Sequence, residues 1–223
     1  MVEATAAVYV EKSNLTRGLL WSGVISGPLF IVTVLVQALT VPGFDLRVDL
    51  ISLLSLAPRT GFIQIANFAL CGLLNLMFAV GAWRVLHPGP GGIFGPIFTA
   101  LHGLLLIVVA VFVTDPANGF PPGVPTPSTP SLHGIVHAGT ALWVFVTCAA
   151  ALAVFARHFL ARHQSGWAFY CGSSAVLMLA IFFSSFGLKI NTAPVLDVSL
   201  VIGWMGISLV AVALLRESDV THA

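Results

Sequence analysis

Three side chains that could carry acid–base or metal chemistry lie within residues 114–137, TDPANGFPPGVPTPSTPSLHGIVH. They are Asp115, His133 and His137. Two histidines four positions apart face the same side of a helix, which is also the spacing of helix-borne zinc sites. A carboxyl group beside an imidazole in a medium of low dielectric can hold and transfer a proton near neutral pH. The segment therefore predicts a catalytic group or a metal centre built on these three residues.

Zinc is the candidate cofactor, with His133, His137 and Asp115 as its ligands and His102 as a less favourable one. At the helical rise of about 1.5 Å per residue, His102 should lie roughly 9 Å deeper than His137. Zinc ligands must lie within about 2.2 Å of the ion, so that set would need a kinked helix. The alternative to a metal site is a hydrogen-bonded pair that satisfies Asp115 and the N–H groups at the start of a helix.

The composition around these residues is that of a membrane protein. Hydrophobic residues make up 58% of the 223 and charged residues 8%, and the mean hydropathy is +1.02. The apolar residues form runs of the length that a bilayer requires, and only helices satisfy their own backbone in hydrocarbon. We therefore predict an all-α fold, a single integral membrane domain built as a six-transmembrane-helix bundle. The predicted spans are residues 19–41, 62–83, 93–113, 133–156, 168–188 and 198–215.

The distribution of Lys and Arg predicts the orientation of this bundle. With a cytoplasmic N-terminus, six basic residues face inward: Lys12, Arg17, Arg84, Arg157, Arg162 and Arg216. Three face outward: Arg47, Arg59 and Lys189. The excess of inner basic residues favours cytoplasmic N- and C-termini in the cell membrane, the inner membrane of a bacterium.

Polar side chains of several spans are predicted to meet near the outer surface. Gln64 and Asn67 enter the second span at about the depth of the histidine pair, and Ser184 and Ser185 leave the fifth span at that level. Because an isolated polar group facing lipid costs several kcal/mol, these side chains should converge on one water-containing pocket. Four acids lie on the outer side and none inside a span: Asp45, Asp49, Asp115 and Asp197.

The remaining features limit the partners. No basic patch is present that could hold nucleic acid phosphates, so the bilayer and a lipid or isoprenoid-like ligand are the expected partners. Cys71, Cys148 and Cys171 lie in apolar runs and are expected to be core residues. The apolar spacing between Leu46 and Leu56 predicts a short amphipathic helix at the outer interface. No sequence pattern predicts the oligomeric state.

Four stretches occur in an order that resembles a known family: DLISLLSL, GFIQIANFALCGLL, TDPANGFPPG and HGIVH. The chain resembles the bacterial domain-of-unknown-function family numbered 998 from about Leu19 to Arg216. The resemblance implies a multi-pass membrane fold with an acid after the third helix and a histidine pair opening the fourth. It implies no particular reaction.

Three hypotheses of function follow. The first is an enzyme that acts on a lipid or isoprenoid-like substrate in an outward-facing pocket. Asp115, His133 and His137 would catalyse the reaction, and Ser52, Asn67 and Lys189 would orient the substrate. The alternative is a non-catalytic component that binds a lipid, a small ligand or a partner, or allows permeation. The third is an isoprenoid cyclase that uses a protonated aspartate in an aromatic-lined chamber. Whether the protein is an enzyme is left open by the sequence.

Overall fold

The architecture is helical throughout the part of the chain that the computed structural model describes, residues 2–187 and 192–220. A 3₁₀ helix, Ile51–Leu56, lies in the first connection. The six α-helices are α1 Val2–Thr40, α2 Gly61–Leu86, α3 Phe94–Val111, α4 Leu132–Ala161, α5 Ser165–Gly187 and α6 Thr192–Val220. The predicted all-α, six-helix fold is confirmed.

Each of the six α-helices is long and apolar enough to cross a membrane. Large apolar side chains point away from the bundle on several of them, with exposed fractions between 68% and 82%. Examples are Leu39, Phe62, Leu132, Phe169 and Val176. Such a surface would be costly in water but is suited to lipid tails. The protein is therefore a multi-pass membrane protein.

The sixth helix begins earlier than predicted, at Thr192 rather than Val198. Pro194 precedes the predicted start of this span, but proline is tolerated in the first turn of a helix, where its missing N–H has no intrahelical partner. The longer helix includes Asp197 in the apolar stretch Ala193–Ser218. The expectation that no acid lies inside a span is therefore wrong.

The helices pack in chain order around the bundle, and α1 closes it by contacting α6. Helix α6 also contacts α2 and α4. Connections 87–93 and 162–164 are short and lie at one end, called here the short-loop end. Connections 41–60 and 112–131 are longer and lie at the other, the long-loop end. This arrangement gives the long-loop end most of the non-helical chain from which a site can be built.

The first long connection packs into the bundle instead of lying on the lipid interface. Its 3₁₀ helix buries Ile51, Leu53 and Leu54, which join Phe68 of α2 in one apolar cluster. The predicted amphipathic interfacial helix is therefore wrong in its placement. Its apolar residues are too closely spaced for one exposed face to be polar, so most of its surface is buried.

The two long connections hold each other in place. The rings of Phe44 and Phe120 meet edge to face with their centroids 5.5 Å apart. The side-chain amide of Asn118 donates a 2.8 Å hydrogen bond to the carbonyl oxygen of Val48. These contacts tie the connection 112–131 to the residues just before the 3₁₀ helix, which itself contacts α1 and α2. The three cysteines, Cys71, Cys148 and Cys171, are buried and free, as expected for core residues.

Candidate functional site

A cavity of about 360 Å³ opens under the 3₁₀ helix at the long-loop end. This volume is within the range of small-molecule sites. Its wall is mainly apolar and includes Phe68, Leu106, Val109, Phe145, Phe182 and Leu200. Four polar residues interrupt that wall: Ser52, Thr114, His137 and Asp197. An apolar cavity with a few polar groups is the usual form of a site for a small, largely hydrophobic ligand.

Asp197 is the acidic residue of this cavity. Helix α6 brings it beneath the 3₁₀ helix, and its carboxyl group accepts a hydrogen bond from the backbone N–H of Ile51. Its second oxygen, Oδ2, is buried and has no hydrogen-bond partner among the described residues. Leaving a buried polar atom unsatisfied costs about 1–3 kcal/mol. The wall of the cavity therefore contains a polar atom that a bound group could satisfy.

His137 is the only one of the two paired histidines that lines the cavity. Its side chain is buried, and its Nδ1–H group donates to the carbonyl oxygen of Phe112 at 2.7 Å. Since a carbonyl accepts only, the proton of the neutral ring is on Nδ1 and Nε2 is left as an acceptor. The predicted site residue His137 is thus held in one orientation by the end of α3.

Asp115 and His133 lie outside the cavity, near each other. Asp115 accepts two hydrogen bonds from Ser131, one from its N–H at 2.8 Å and one from its hydroxyl at 2.5 Å. The Ser131 hydroxyl oxygen accepts in turn from the N–H of Gly134 and caps the start of α4. The ring of His133 is exposed and packs on Phe112, with centroids 5.2 Å apart.

The electrostatics of Asp115 follow from these contacts. The hydroxyl and the N–H of Ser131 lower the pKa of its carboxyl group, and the nearby His133 contributes in the same direction. Hydrogen bonds to the charged form are what stabilise a carboxylate here. This geometry matches the alternative to a metal site, in which Asp115 forms hydrogen bonds at the start of a helix. A catalytic role for Asp115 and His133 remains a prediction.

Asn67 faces α1 instead of the histidine pair. Its side-chain amide donates to the carbonyl oxygen of Phe30 at 3.3 Å and to the side chain of Gln64 at 3.5 Å. Gln64 in turn accepts a 2.9 Å hydrogen bond from Gln37. The polar residues of the second span therefore form a separate layer between α1 and α2. Of the side chains predicted to converge on one pocket, His137 lines the cavity, whereas Gln64 and Asn67 do not.

The other two predicted substrate-binding residues have different outcomes. Ser52 is half-buried and lines the cavity from the 3₁₀ helix. Lys189 lies outside the described residues, so its predicted role stays a prediction.

The described residues contain no group of three or more His, Cys, Asp or Glu side chains that could hold a metal ion. The Nδ1–H group of His102 donates a hydrogen bond to the carbonyl oxygen of Val144, 3.1 Å away, and its ring meets Trp204 edge to face. It is buried in the core, separate from the cavity lining. The zinc hypothesis on His133, His137 and Asp115 gains no support from this arrangement and remains a prediction.

Asp197 is the functional candidate that the sequence did not single out. The sequence signal was available: an acid flanked by Leu196 and Val198, three residues after Pro194. Had Pro194 been placed in the first turn of the helix, Asp197 would have been recognised as an ionisable residue within a span, which by default indicates function.

Comparison with protein families gives one match. The model of the family described as "Protein of unknown function (DUF998)" matches residues 24–215, which is most of the chain, so the chain belongs to this family. No curated protein and no solved structure matches the chain.

Proposed function

We propose that this member of the DUF998 family binds a lipid or isoprenoid-like molecule in the cavity at the long-loop end. The carboxyl group of Asp197 would hold the polar head of the ligand. The observation that carries the proposal is the unpartnered, buried Oδ2 atom of Asp197 in the wall of an otherwise apolar cavity.

The lining of the cavity indicates the class of ligand. Phe68, Phe145 and Phe182 provide apolar surface for a hydrocarbon chain. The head should be small, because few polar side chains among the described residues face the cavity. A hydroxyl group fits best, since it donates and accepts and can pair with a carboxyl oxygen and with a second group such as Ser52. A long-chain or isoprenoid alcohol has this chemistry.

The test is the amount of lipid that co-purifies with the protein after extensive washing in detergent. Extraction and mass spectrometry should find a stoichiometric single-chain or isoprenoid lipid with the wild type. Asp197→Asn should reduce the retained amount about tenfold, which corresponds to the loss of one hydrogen bond of about 1.4 kcal/mol. Ala141→Phe, which fills the cavity, should remove the lipid. Asp115→Asn changes an acid at the same end but outside the cavity and is the matched control. Equal retention by all four proteins would refute the proposal.

Hydrolysis of an acyl ester of such an alcohol is the second candidate, with water as the nucleophile, His137 as the base that takes its proton, and the carboxylic acid and the alcohol as products. His137 and Asp197 line the same cavity from α4 and α6, and the Nδ1 hydrogen bond to Phe112 leaves Nε2 of His137 able to accept a proton. The test is hydrolysis of a long-chain acyl ester probe in detergent. Turnover that is lost in His137→Gln and kept in His133→Gln would support catalysis, whereas equal rates in the two variants would exclude this role of His137.

A further inference from the structure

We infer that the short-loop end carries a second site, independent of the cavity, which binds a phosphate-bearing ligand such as the head of an anionic lipid. The site is an open pocket of about 690 Å³ formed by the connection between α4 and α5, the first turn of α5 and the last turns of α6. Arg162 and Arg216 line it from two different segments, together with the indole of Trp167.

The charge in the pocket is positive. Glu217 is its acidic residue, and both carboxylate oxygens are engaged, one by His158 Nε2 at 3.2 Å and the other by Gln164 Nε2 at 2.8 Å. The other nitrogen of His158, Nδ1, faces the carbonyl oxygen of Pro90 at 2.9 Å. Arg162 also interacts electrostatically with Glu217, but Arg162 and Arg216 outnumber this single carboxylate, so the lining keeps a net positive charge.

The two arginines are therefore the charges that a ligand would meet. Both side chains are exposed, and Arg216 has no ion-pair partner among the described residues. A guanidinium presents its N–H donors in a planar fork that matches two oxygens of a phosphate, so two such groups around one pocket favour this anion.

The backbone adds donors on the same side. Two residues after the end of α4, His163 adopts the left-handed region, φ 57°, and the chain turns directly into α5. The first intrahelical bond of α5 runs from the N–H of Ala168 to Gln164, so the N–H groups of Ser165, Gly166 and Trp167 have no partner within the helix. The space beside Gly166 is open, because a Cβ atom added to this residue would have no neighbouring atom within 4 Å. An anion held by the arginines can approach these N–H groups.

The membrane position favours a lipid as the source of the phosphate. The pocket lies where α4, α5 and α6 end, which is the level of lipid head groups for helices that cross the bilayer. Trp167 packs on Phe159 with ring centroids 6.0 Å apart, and indole rings of this kind sit preferentially at the head-group level. A free phosphate or a soluble phosphate ester has the same chemistry, so the experiment must separate the two sources.

The test is native mass spectrometry of purified protein in micelles that contain equal parts of phosphatidylglycerol and phosphatidylcholine. The wild type should retain phosphatidylglycerol preferentially. Arg162→Gln combined with Arg216→Gln should weaken this retention at least about tenfold, since a basic residue near anionic lipid contributes about 1 kcal/mol. The single variant Arg216→Gln should show a smaller loss. The control is Arg84→Gln combined with Arg157→Gln, which removes the same charge from exposed residues at the same end, outside the pocket.

A second arm uses inorganic phosphate, titrated calorimetrically into lipid-depleted protein. Phosphate binding that depends on Arg162 and Arg216, without a preference for phosphatidylglycerol, assigns the site to a soluble phosphate compound. Preferential retention of phosphatidylglycerol assigns it to a lipid. Two results would overturn the inference: equal losses in the pocket variant and its control, which indicate a diffuse surface charge, or no loss in the pocket variant with either ligand.

Discussion

The imidazole of His137 and the carbonyl of Phe112 join two helices by a hydrogen bond of 2.7 Å. Phe112 directly follows the last residue of α3, where carbonyl groups have no partner within the helix. His137 therefore completes the end of α3 while it lines the cavity. The same hydrogen bond fixes which nitrogen of the ring is available to a ligand.

We expect His137→Ala to destabilise the protein by about 1–3 kcal/mol, because it leaves a buried carbonyl without a donor. For a chain of this size, each kcal/mol lowers the melting temperature by about 2–4 °C. His133→Ala is the matched control, and its effect should stay within about 0.5 kcal/mol since its ring is exposed. Thermal unfolding in detergent measures both. Equal effects of the two substitutions would show that the hydrogen bond of His137 is unimportant.

The start of α4 depends on the contact between Ser131 and Asp115. We expect Ser131→Ala to cost about 1 kcal/mol, the usual effect of losing an N-cap side chain. Gly134→Ala should loosen the same turn, because a Cβ there would collide with Oδ2 of Asp115. Hydrogen exchange at the first amides of α4 reports on both changes, and protection equal to that of the wild type would contradict this account.

The lowered pKa of Asp115 predicts that the stability of the fold depends on pH in the acidic range. A carboxyl group whose pKa is lower in the folded state stabilises the fold at pH values above its unfolded pKa, about 3.9. This contribution is lost as the pH falls through the folded pKa. The stability difference between wild type and Asp115→Asn should therefore be present at pH 7 and shrink below about pH 4. Melting curves of both proteins against pH test this, and a constant difference down to pH 3 would contradict it.

Helices α2 and α3 approach closely at a pair of glycines. A Cβ added to Gly72 would lie 2.6 Å from the carbonyl oxygen of Gly103, and one added to Gly103 would lie 2.6 Å from that of Gly72. Backbone atoms cannot move aside without shifting a helix, so Gly72→Ala should cost about 1–3 kcal/mol.

Gly139 provides the control for this substitution. It lies in α4, and a Cβ atom added to it would have no neighbouring atom within 4 Å. Gly139→Ala should be neutral or stabilising by up to about 1 kcal/mol, since alanine favours helix more than glycine does. Thermal melting of the two variants side by side decides the point, and a Gly72→Ala protein as stable as Gly139→Ala would exclude the close contact.

The sequence was sufficient for the number and type of helices, because runs of apolar residues long enough to cross a bilayer have few alternative structures. It was also sufficient to place His137 and Ser52 at the same end of the bundle, where both line the cavity. The sequence did not predict which way the side chain of Asn67 points, because depth along a helix does not specify which neighbouring helix a side chain faces. Asn67 faces α1 because its side-chain amide donates to the carbonyl oxygen of Phe30.

Asp197 was missed for a different reason. Its identification depended on a helix boundary, and boundaries near proline are poorly determined by local sequence since proline both ends helices and begins them. The packing of the 3₁₀ helix was also inaccessible, because it depends on contacts with the distant connection 112–131, such as the Phe44–Phe120 pair. Both features combine to form the cavity.

The most direct measurement for the central claim is an experimental density map of the protein in a native-lipid nanodisc. The account predicts elongated density in the cavity under the 3₁₀ helix, with a polar atom about 2.7–3.2 Å from Oδ2 of Asp197. Asp197→Asn in the same nanodiscs should show weaker density at that position. A wild-type map in which the cavity is closed by side chains, or in which Asp197 Oδ2 pairs with another residue of the chain, would contradict the claim.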